Sequence, residues 1–326
     1  MTKIQEVLEL NIGILGCSEI AYRRFMPAIQ EVDEVDVLAV AEEYDPSKLD
    51  TFCKEYSLER ENSFENLINR NDIDAVYVPQ PPALHYKWAK RALECGKHVL
   101  VEKPSTTEYR LSEDLVNIAN KKGLVLHENY MFQYHSQIHE IQRIIQRGEI
   151  GDIRLIRANF GFPLRGKNDF RYSAKLGGGA LLDAGGYTVK LASIFLGNTI
   201  KVNYSKLMEI EGYEVDMYGS AVLSNDEGCV CQVGFGMDCH YQCCLEIWGS
   251  QGKLYTDRIF TAPPGYEPIV IIEKAERTEE VRLSADWHFR HSIDEFYQET
   301  LDLDKRNQMY DEILLQAKLV EMIRNN

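Results

Sequence analysis

The chain lacks any long apolar run. No segment approaches the roughly 18 consecutive apolar residues of a membrane-spanning helix, so no membrane partner is expected. It opens on Met-Thr-Lys-Ile-Gln-Glu, without the apolar core of an export signal, and a cytoplasmic location is the expectation. Positive charge is scarce: 36 Lys and Arg stand against 51 Asp and Glu, for a formal charge of −15. That balance argues against broad contact with nucleic acid or an anionic membrane. An anionic small substrate would need a local basic pocket. Cys-x-x-Cys pairs are also missing. Cys239, Cys243 and Cys244 crowd near His240, but in a strand-like stretch without the paired spacing of zinc sites. They read as packed thiols, no metal is expected, and the eight cysteines are taken as reduced. Internal repeats and low-complexity tracts are absent too.

What is present is room for two domains. The chain has 326 residues, 44% of them hydrophobic, enough for two substantial cores. Over residues 10–127, strand-like runs (Leu10–Leu15, Val35–Ala41, Ala75–Val78, His98–Val101, Leu124–Leu126) alternate with helical stretches such as Leu84–Cys95 and Ser112–Lys121. Such alternation predicts a parallel sheet with crossover helices. After a helix near Ile138–Arg147 the pattern changes to successive strands, including Ile153–Phe160, Ser220–Leu223, Leu245–Trp248 and Ile269–Glu273, with helices at Gly179–Phe195 and again after Trp287. A mostly antiparallel sheet is expected there, with the boundary between residues 127 and 128.

Three motifs carry chemistry. The first runs from strand to helix through Gly13-Ile14-Leu15-Gly16-Cys17-Ser18-Glu19-Ile20-Ala21, as a dinucleotide fingerprint does. Gly16 makes the tight turn, and Ala21 lets helix and strand approach closely. Ser18 stands where the middle glycine usually lies; it is small, and its hydroxyl can bind a phosphate oxygen. The next strand ends on Glu42-Glu43, where an acid accepts hydrogen bonds from a ribose diol and repels a 2′-phosphate. That favours NAD over NADP, with NADP kept open; the nearest following cation is Lys48. The second motif is Val101-Glu102-Lys103-Pro104, a lysine at a strand end, where open α/β sheets bind ligands. The third is Gly177-Gly178-Gly179 followed by Asp183 and Tyr187, four residues apart and so on one helix face. Ketone reduction needs a proton donor for the developing alkoxide. A tyrosine hydroxyl near a lysine can supply it, and Asp183 can orient the lysine or a substrate hydroxyl. An early-helix acid beside a packed tyrosine accounts for the spacing equally well. Just before this block Arg165, Lys167 and Arg171 form a basic stretch suited to a diphosphate.

In this order, the Gly16 fingerprint, Glu102-Lys103-Pro104 and the Gly177–Tyr187 block resemble the glucose–fructose oxidoreductase, inositol dehydrogenase and rhizopine-catabolism (Gfo/Idh/MocA) family over nearly the whole chain. The resemblance implies a Rossmann doubly wound parallel sheet in residues 1–127. It also implies a C-terminal α/β domain with a mostly antiparallel open sheet in residues 128–326, binding substrate and mediating homodimer or homotetramer formation. Gly16, Ser18, Glu19, Ile20, Ala21, Glu42, Glu102 and Lys103 would line the cofactor, and Lys103 would sit at the reaction centre with Asp183. Most members carry histidine where this chain has Tyr187. Tyrosine there is similar to the nucleotide-sugar 3-ketoreductase branch, and also to the dihydrodiol dehydrogenases. Gly16–Arg24, Glu128–Phe132 and Phe260–Pro264 look like the ketoreductase branch as well, although that branch can carry a serine–arginine pair in place of Glu42-Glu43. The leading expectation is a nicotinamide-dependent reductase of a keto sugar, taken as a nucleotide-linked 3-keto (deoxy)sugar. The alternatives are a dehydrogenase of a free sugar, polyol or trans-dihydrodiol, and a catalytically silent NAD-binding sensor.

Overall fold

The computed structural model describes residues 9–326; residues 1–8, including the opening segment read above for an export signal, lie outside the described residues. The chain folds as two compact units. One takes the described chain up to Thr106 with Arg110–Asn129 and Phe289–Ile313; the other takes Thr107–Tyr109, Tyr130–His288 and Leu314–Asn326. Among the described residues no helix is long and apolar enough to cross a membrane.

The first unit is built on β1 (Leu10–Leu15), β2 (Val35–Ala41), β3 (Glu59–Glu61), β4 (Ala75–Val78), β5 (His98–Glu102) and β6 (Leu126–Asn129). They lie in the order β3-β2-β1-β4-β5-β6, and every pair is parallel. This is the doubly wound order whose strand sequence reverses beside β1. Ile12, Ile14, Val40, Val76, Val78, Val99 and Val101 are wholly buried. Crossover helices cover both faces of such a sheet, so its central strands are near-continuous apolar runs and not alternations.

Two strands depart from expectation. β3 is absent from the sequence reading because Glu59-Arg60-Glu61 has no apolar residue to mark it; among the described residues it is an edge strand paired only with β2. β6 runs from Leu126 to Asn129, later than the expected Leu124–Leu126. Its polar residues His127, Glu128 and Asn129 are as buried as an apolar strand, which hydrogen bonds described below make tolerable. The returning segment Phe289–Ile313 is fastened to the same region: Tyr310 Oη donates to Leu124 O, and Arg306 Nη1 donates to Gly123 O at 2.6 Å.

The second unit holds β7 (Ile153–Gly161), β8 (Lys201–Glu209), β9 (Asp216–Ser224), β10 (Val230–Gly236), β11 (Gln242–Gly249), β12 (Gly252–Asp257), β13 (Ile269–Lys274) and β14 (Arg277–Arg282). Their order is β14-β13-β12-β11-β7-β10-β9-β8. Only β7 and β10 pair in parallel; the other pairs are antiparallel. Helix Gly186–Leu196 packs on β7 and β10. The outer strands β8 and β14 are rich in exposed polar residues, as suits sheet edges, and this hid them from a hydrophobicity reading.

Candidate active site

The fingerprint turn follows from its residues. β1 ends at Leu15, and Gly16 has φ +120°, a conformation that L side chains rarely adopt. A Cβ there would also overlap the Nε2 of Gln80, which donates to Leu15 O. Ser18 Oγ then accepts from Ala21 N at 3.2 Å and opens the helical stretch that continues to Ile29. A side-chain-free strand end leading into a helix is what a pyrophosphate requires, so the turn fits a dinucleotide. Glu19 is exposed and paired with Arg23 at 3.2 Å, and Ile20 is half-buried beside it.

Glu42 lies at the end of β2, but its carboxylate is turned onto the loops. Oε2 accepts from Cys17 N at 2.8 Å, and Oε1 accepts from Tyr44 N at 2.8 Å and Asp45 N at 3.2 Å. Glu43 accepts from Phe64 N at 2.7 Å. Burial first, and Glu42 second, push the Cys17 thiol up to about 12, so it stays protonated. Exposed Lys48 and Arg60 lie within electrostatic reach of that thiol, each in a surface ion pair, with Asp45 and Asp50 respectively.

Lys103 directly follows β5, and its peptide bond to Pro104 is cis. Glu102 is buried; its Oε1 accepts from Tyr77 Oη at 2.8 Å and Asn129 Nδ2 at 2.6 Å. Burial raises the Glu102 pKa against those bonds and against the neighbouring Lys103 charge. On the other side of the bend Ser105 N donates to Glu128 Oε1 at 2.6 Å, and His85 spans the carbonyls of Gln80 and Pro104.

In the second unit the glycine block starts a helix. Gly179 has φ +117°, and a Cβ there would overlap Asp216 Oδ1. Asp216 Oδ2 accepts from Leu181 N at 2.6 Å, holding the first turn; burial raises its pKa, opposed by that amide bond. Asp183 and Tyr187 lie four residues apart on this continuous helix, Leu181–Gly185 running into Gly186–Leu196. Tyr187 is enclosed by aromatic rings, with centroids 5.5 Å from Tyr130, 5.8 Å from Phe132, 5.2 Å from Phe160 and 5.9 Å from Phe260. Its hydroxyl reaches the Met131 sulfur at 3.7 Å, a weak acceptor that a better one could replace.

The three basic residues do not act alike. Arg171 Nε donates to Asp183 Oδ2 at 2.6 Å, and Nη1 donates to Asp169 Oδ1 at 3.0 Å. Burial would lower the Arg171 pKa, but Asp183 and Asp169 outweigh it and hold the pKa above its ordinary value. Arg165 is exposed with its guanidinium 5.1 Å from the Phe162 ring centre, and Lys167 is exposed in the same loop. Sequence reading missed Asp216, although Gly179 marks a close approach that something must fill. It also missed the pairing of Arg171 with Asp183, for which no local signal exists. Among the described residues no group of three or more His, Cys, Asp or Glu side chains could hold a metal.

A six-stranded sheet in this order, with a bare glycine turn beyond its first strand, defines a doubly wound α/β domain of the dinucleotide-binding type. The oxidoreductase family with NAD-binding Rossmann fold matches residues 10–130, and the GFO/IDH/MocA C-terminal domain matches residues 138–255. The chain therefore belongs to the GFO/IDH/MocA family of NAD(P)-binding oxidoreductases. It is 40% identical over 287 residues to a dTDP-3,4-didehydro-2,6-dideoxy-alpha-D-glucose 3-reductase of Saccharopolyspora spinosa, covering 88% of this chain and 86% of that one. A reductase of the same name from Actinomadura kijaniata is 38% identical over 97% of this chain and 95% of its own length. The crystal structure of a 3-ketoreductase from Actinomadura kijaniata, in complex with NADP and TDP-benzene, superimposes with a TM-score of 0.94 at 37% identity, covering 97% of each chain. Variants of that ketoreductase with a tyrosine replaced by phenylalanine and with a lysine replaced by alanine have also been solved.

Proposed function

We propose that this chain reduces the 3-keto group of a dTDP-linked deoxysugar. The observation that carries the reading is full-length similarity, at about two residues in five, to reductases named for that reaction. Reduced nicotinamide supplies the hydride to the carbonyl carbon. The chain's own part is the oxygen: Lys103 polarises it, and Tyr187 gives it the proton, leaving a neutral alcohol. Asp183 orients, paired with Arg171 at the start of the helix that carries Tyr187. The aromatic shell around Tyr187 supports a proton donor kept from bulk water. We assign cofactor binding to the 1–127 division with Gly16, Ser18, Glu19, Ile20, Ala21, Glu42, Glu102 and Lys103, and substrate binding and self-association to 128–326. Arg165 and Lys167 are the cations open to a diphosphate, while the Arg171 charge is already matched by two carboxylates.

The cofactor assignment moves from NAD(H) to NADP(H). The ketoreductase solved with NADP supports this, and so does Glu42, whose carboxylate is held by three backbone amides and is not presented to a ribose. Lys48 and Arg60 are in exposed ion pairs, which are worth little and can be exchanged for a phosphate. The deciding experiment supplies dTDP-3,4-didehydro-2,6-dideoxy-glucose with NADPH and follows nicotinamide oxidation, alongside thermal shift with dTDP. Turnover of the sugar and a rise in melting temperature with dTDP are expected; a ligand at a hundredfold excess over Kd stabilises by ~2.7 kcal/mol. No turnover and no dTDP response, with robust oxidation of a free sugar or trans-dihydrodiol, would transfer the assignment to a dehydrogenase.

A further inference from the structure

A single buried chain of hydrogen bonds runs through the first unit and ends on Glu102. Asn129 Nδ2 donates to Glu102 Oε1 at 2.6 Å, and Ser292 Oγ donates to Asn129 Oδ1 at 2.8 Å. His127 Nε2 lies 3.1 Å from Ser292 Oγ, and His127 Nδ1 lies 2.9 Å from Glu299 Oε1. Glu102, His127, Asn129, Ser292 and Glu299 are all buried, four of them almost completely. They come from three elements far apart in sequence: β5, β6 and helix His288–Leu301.

The proton inventory gives this chain a direction. A serine has one hydroxyl hydrogen, and Ser292 commits it to Asn129. The short contact with His127 must then be an N–H donated to Ser292 Oγ, which places a proton on Nε2. The remaining contact, His127 Nδ1 with Glu299, holds one further proton between two groups whose combined charge is zero whichever carries it. From His127 onward every donor thus points towards Glu102. Among the described residues the other Glu299 oxygen has no hydrogen-bond partner, and His127 compensates the carboxyl group through Oε1. The hydroxyl of Tyr77 from β4 and the Lys103 charge act on Glu102; Glu295 on the same helix and Glu312 on helix Leu303–Asn325 act on Glu299, beside His127.

We infer that His127, Asn129, Ser292 and Glu299 are positioning residues that orient the Glu102 carboxylate and through it the Lys103 strand end. A carboxylate that accepts two directed bonds is held in one rotamer, and the ammonium beside it meets a fixed charge. Two apolar neighbours could fill the space beside Asn129 and Ser292 but could not aim donors at Glu102. This deepens the reductase reading and rests on Lys103 polarising the carbonyl.

Ser292→Ala removes one oxygen from the middle of the chain and leaves both ends in place. With NADPH and the dTDP-linked keto sugar, kcat should fall ~10–10²-fold, as misplacement of a polarising group does. KM for the sugar should hold within a factor of about two, and the pH profile of kcat should shift. Glu299→Gln keeps the donor direction and should retain turnover within a few fold, whereas Glu299→Leu should not. In a Lys103→Met background Ser292→Ala should cost nothing more, because a residue acting through another is non-additive with it. A normal kcat and pH profile for Ser292→Ala, or full additivity with Lys103→Met, overturns the inference. If Lys103→Met itself leaves turnover unchanged, the reaction reading fails instead. The relay is then judged by nitrogen-15 histidine NMR of the cofactor-free protein. That spectrum should show His127 protonated at Nε2 and shifted by Ser292→Ala; an unprotonated Nε2 refutes it.

Discussion

His85 offers a measurable consequence of burial beside the Lys103 bend. Its ring is completely buried on helix Pro82–Glu94, with Nδ1 2.7 Å from Pro104 O and Nε2 2.6 Å from Gln80 O. Two carbonyl acceptors favour the doubly protonated ring, but loss of hydration is the larger effect, and Lys103 adds to it. The pKa falls from 6.5 to about 4. Between those two values the unfolded chain binds more protons than the folded one, so stability rises with pH across that window. The His85 contribution is whole above 6.5 and is lost as the pH falls towards 4. Going from pH 7.5 to pH 5 should remove about 2 kcal/mol through this one ring. His85→Gln has no titrating ring, and at pH 7.5 it should cost about 1–3 kcal/mol by withdrawing the one N–H that the neutral ring donates to a buried carbonyl. Its stability should then decline less steeply with acid, by about 2 kcal/mol at pH 5. Glu102, Asp216 and Glu299, whose pKa values burial raises, titrate with the opposite sign. Burial also lowers His98 to about 4, with the same sign as His85. These groups remain in both proteins and cancel in the difference. Urea unfolding at several pH values, followed by the fluorescence of buried Trp88 on the same helix, measures it. Parallel stability curves for the two proteins would show that His85 keeps its proton in the fold and that the carbonyl contacts outweigh burial.

Tyr187→Phe should lower kcat ~10²–10⁴-fold, the usual loss for a general acid, while the melting temperature stays within a few degrees because the ring packing is retained. Lys103→Ala should cost at least as much, and near-normal turnover in both variants would remove them from the chemistry. Steady-state kcat/KM should favour NADPH over NADH; a clear preference for NADH would mean that Glu42 leaves its loop amides and takes the ribose. Gly179→Ala should destabilise by about 1–3 kcal/mol from backbone strain alone, with a further loss as Asp216 is displaced from Leu181 N, and denaturation midpoints within error of the parent would contradict the packing described at that turn.

The sequence by itself determined the parts whose physics is local. β1 and β2 begin and end where their apolar runs do, broken only by Asn11 and Asp36, because a strand covered on both faces is apolar over most of its length. Gly16 was legible because a turn with positive φ admits little else. That Asp183 and Tyr187 sit on one helical stretch was legible from the sequence, and the apolar run His98–Val101 placed Lys103 at a strand end. Tertiary structure alone decided what depends on partners distant in the chain. β3 is made a strand by its pairing with β2, since Glu59-Arg60-Glu61 carries no strand pattern of its own. β6 continues through His127, Glu128 and Asn129 because Ser292 and Glu299, more than 160 residues later, join Glu102 and Ser105 in satisfying its polar groups. Arg171 is drawn to Asp183, and Glu42 to the amide of Cys17, by contacts across a fold that neither residue's neighbours in sequence foretell. Burying a polar side chain is costly unless a partner of the right geometry is waiting. For these residues the partner exists only once the chain has folded.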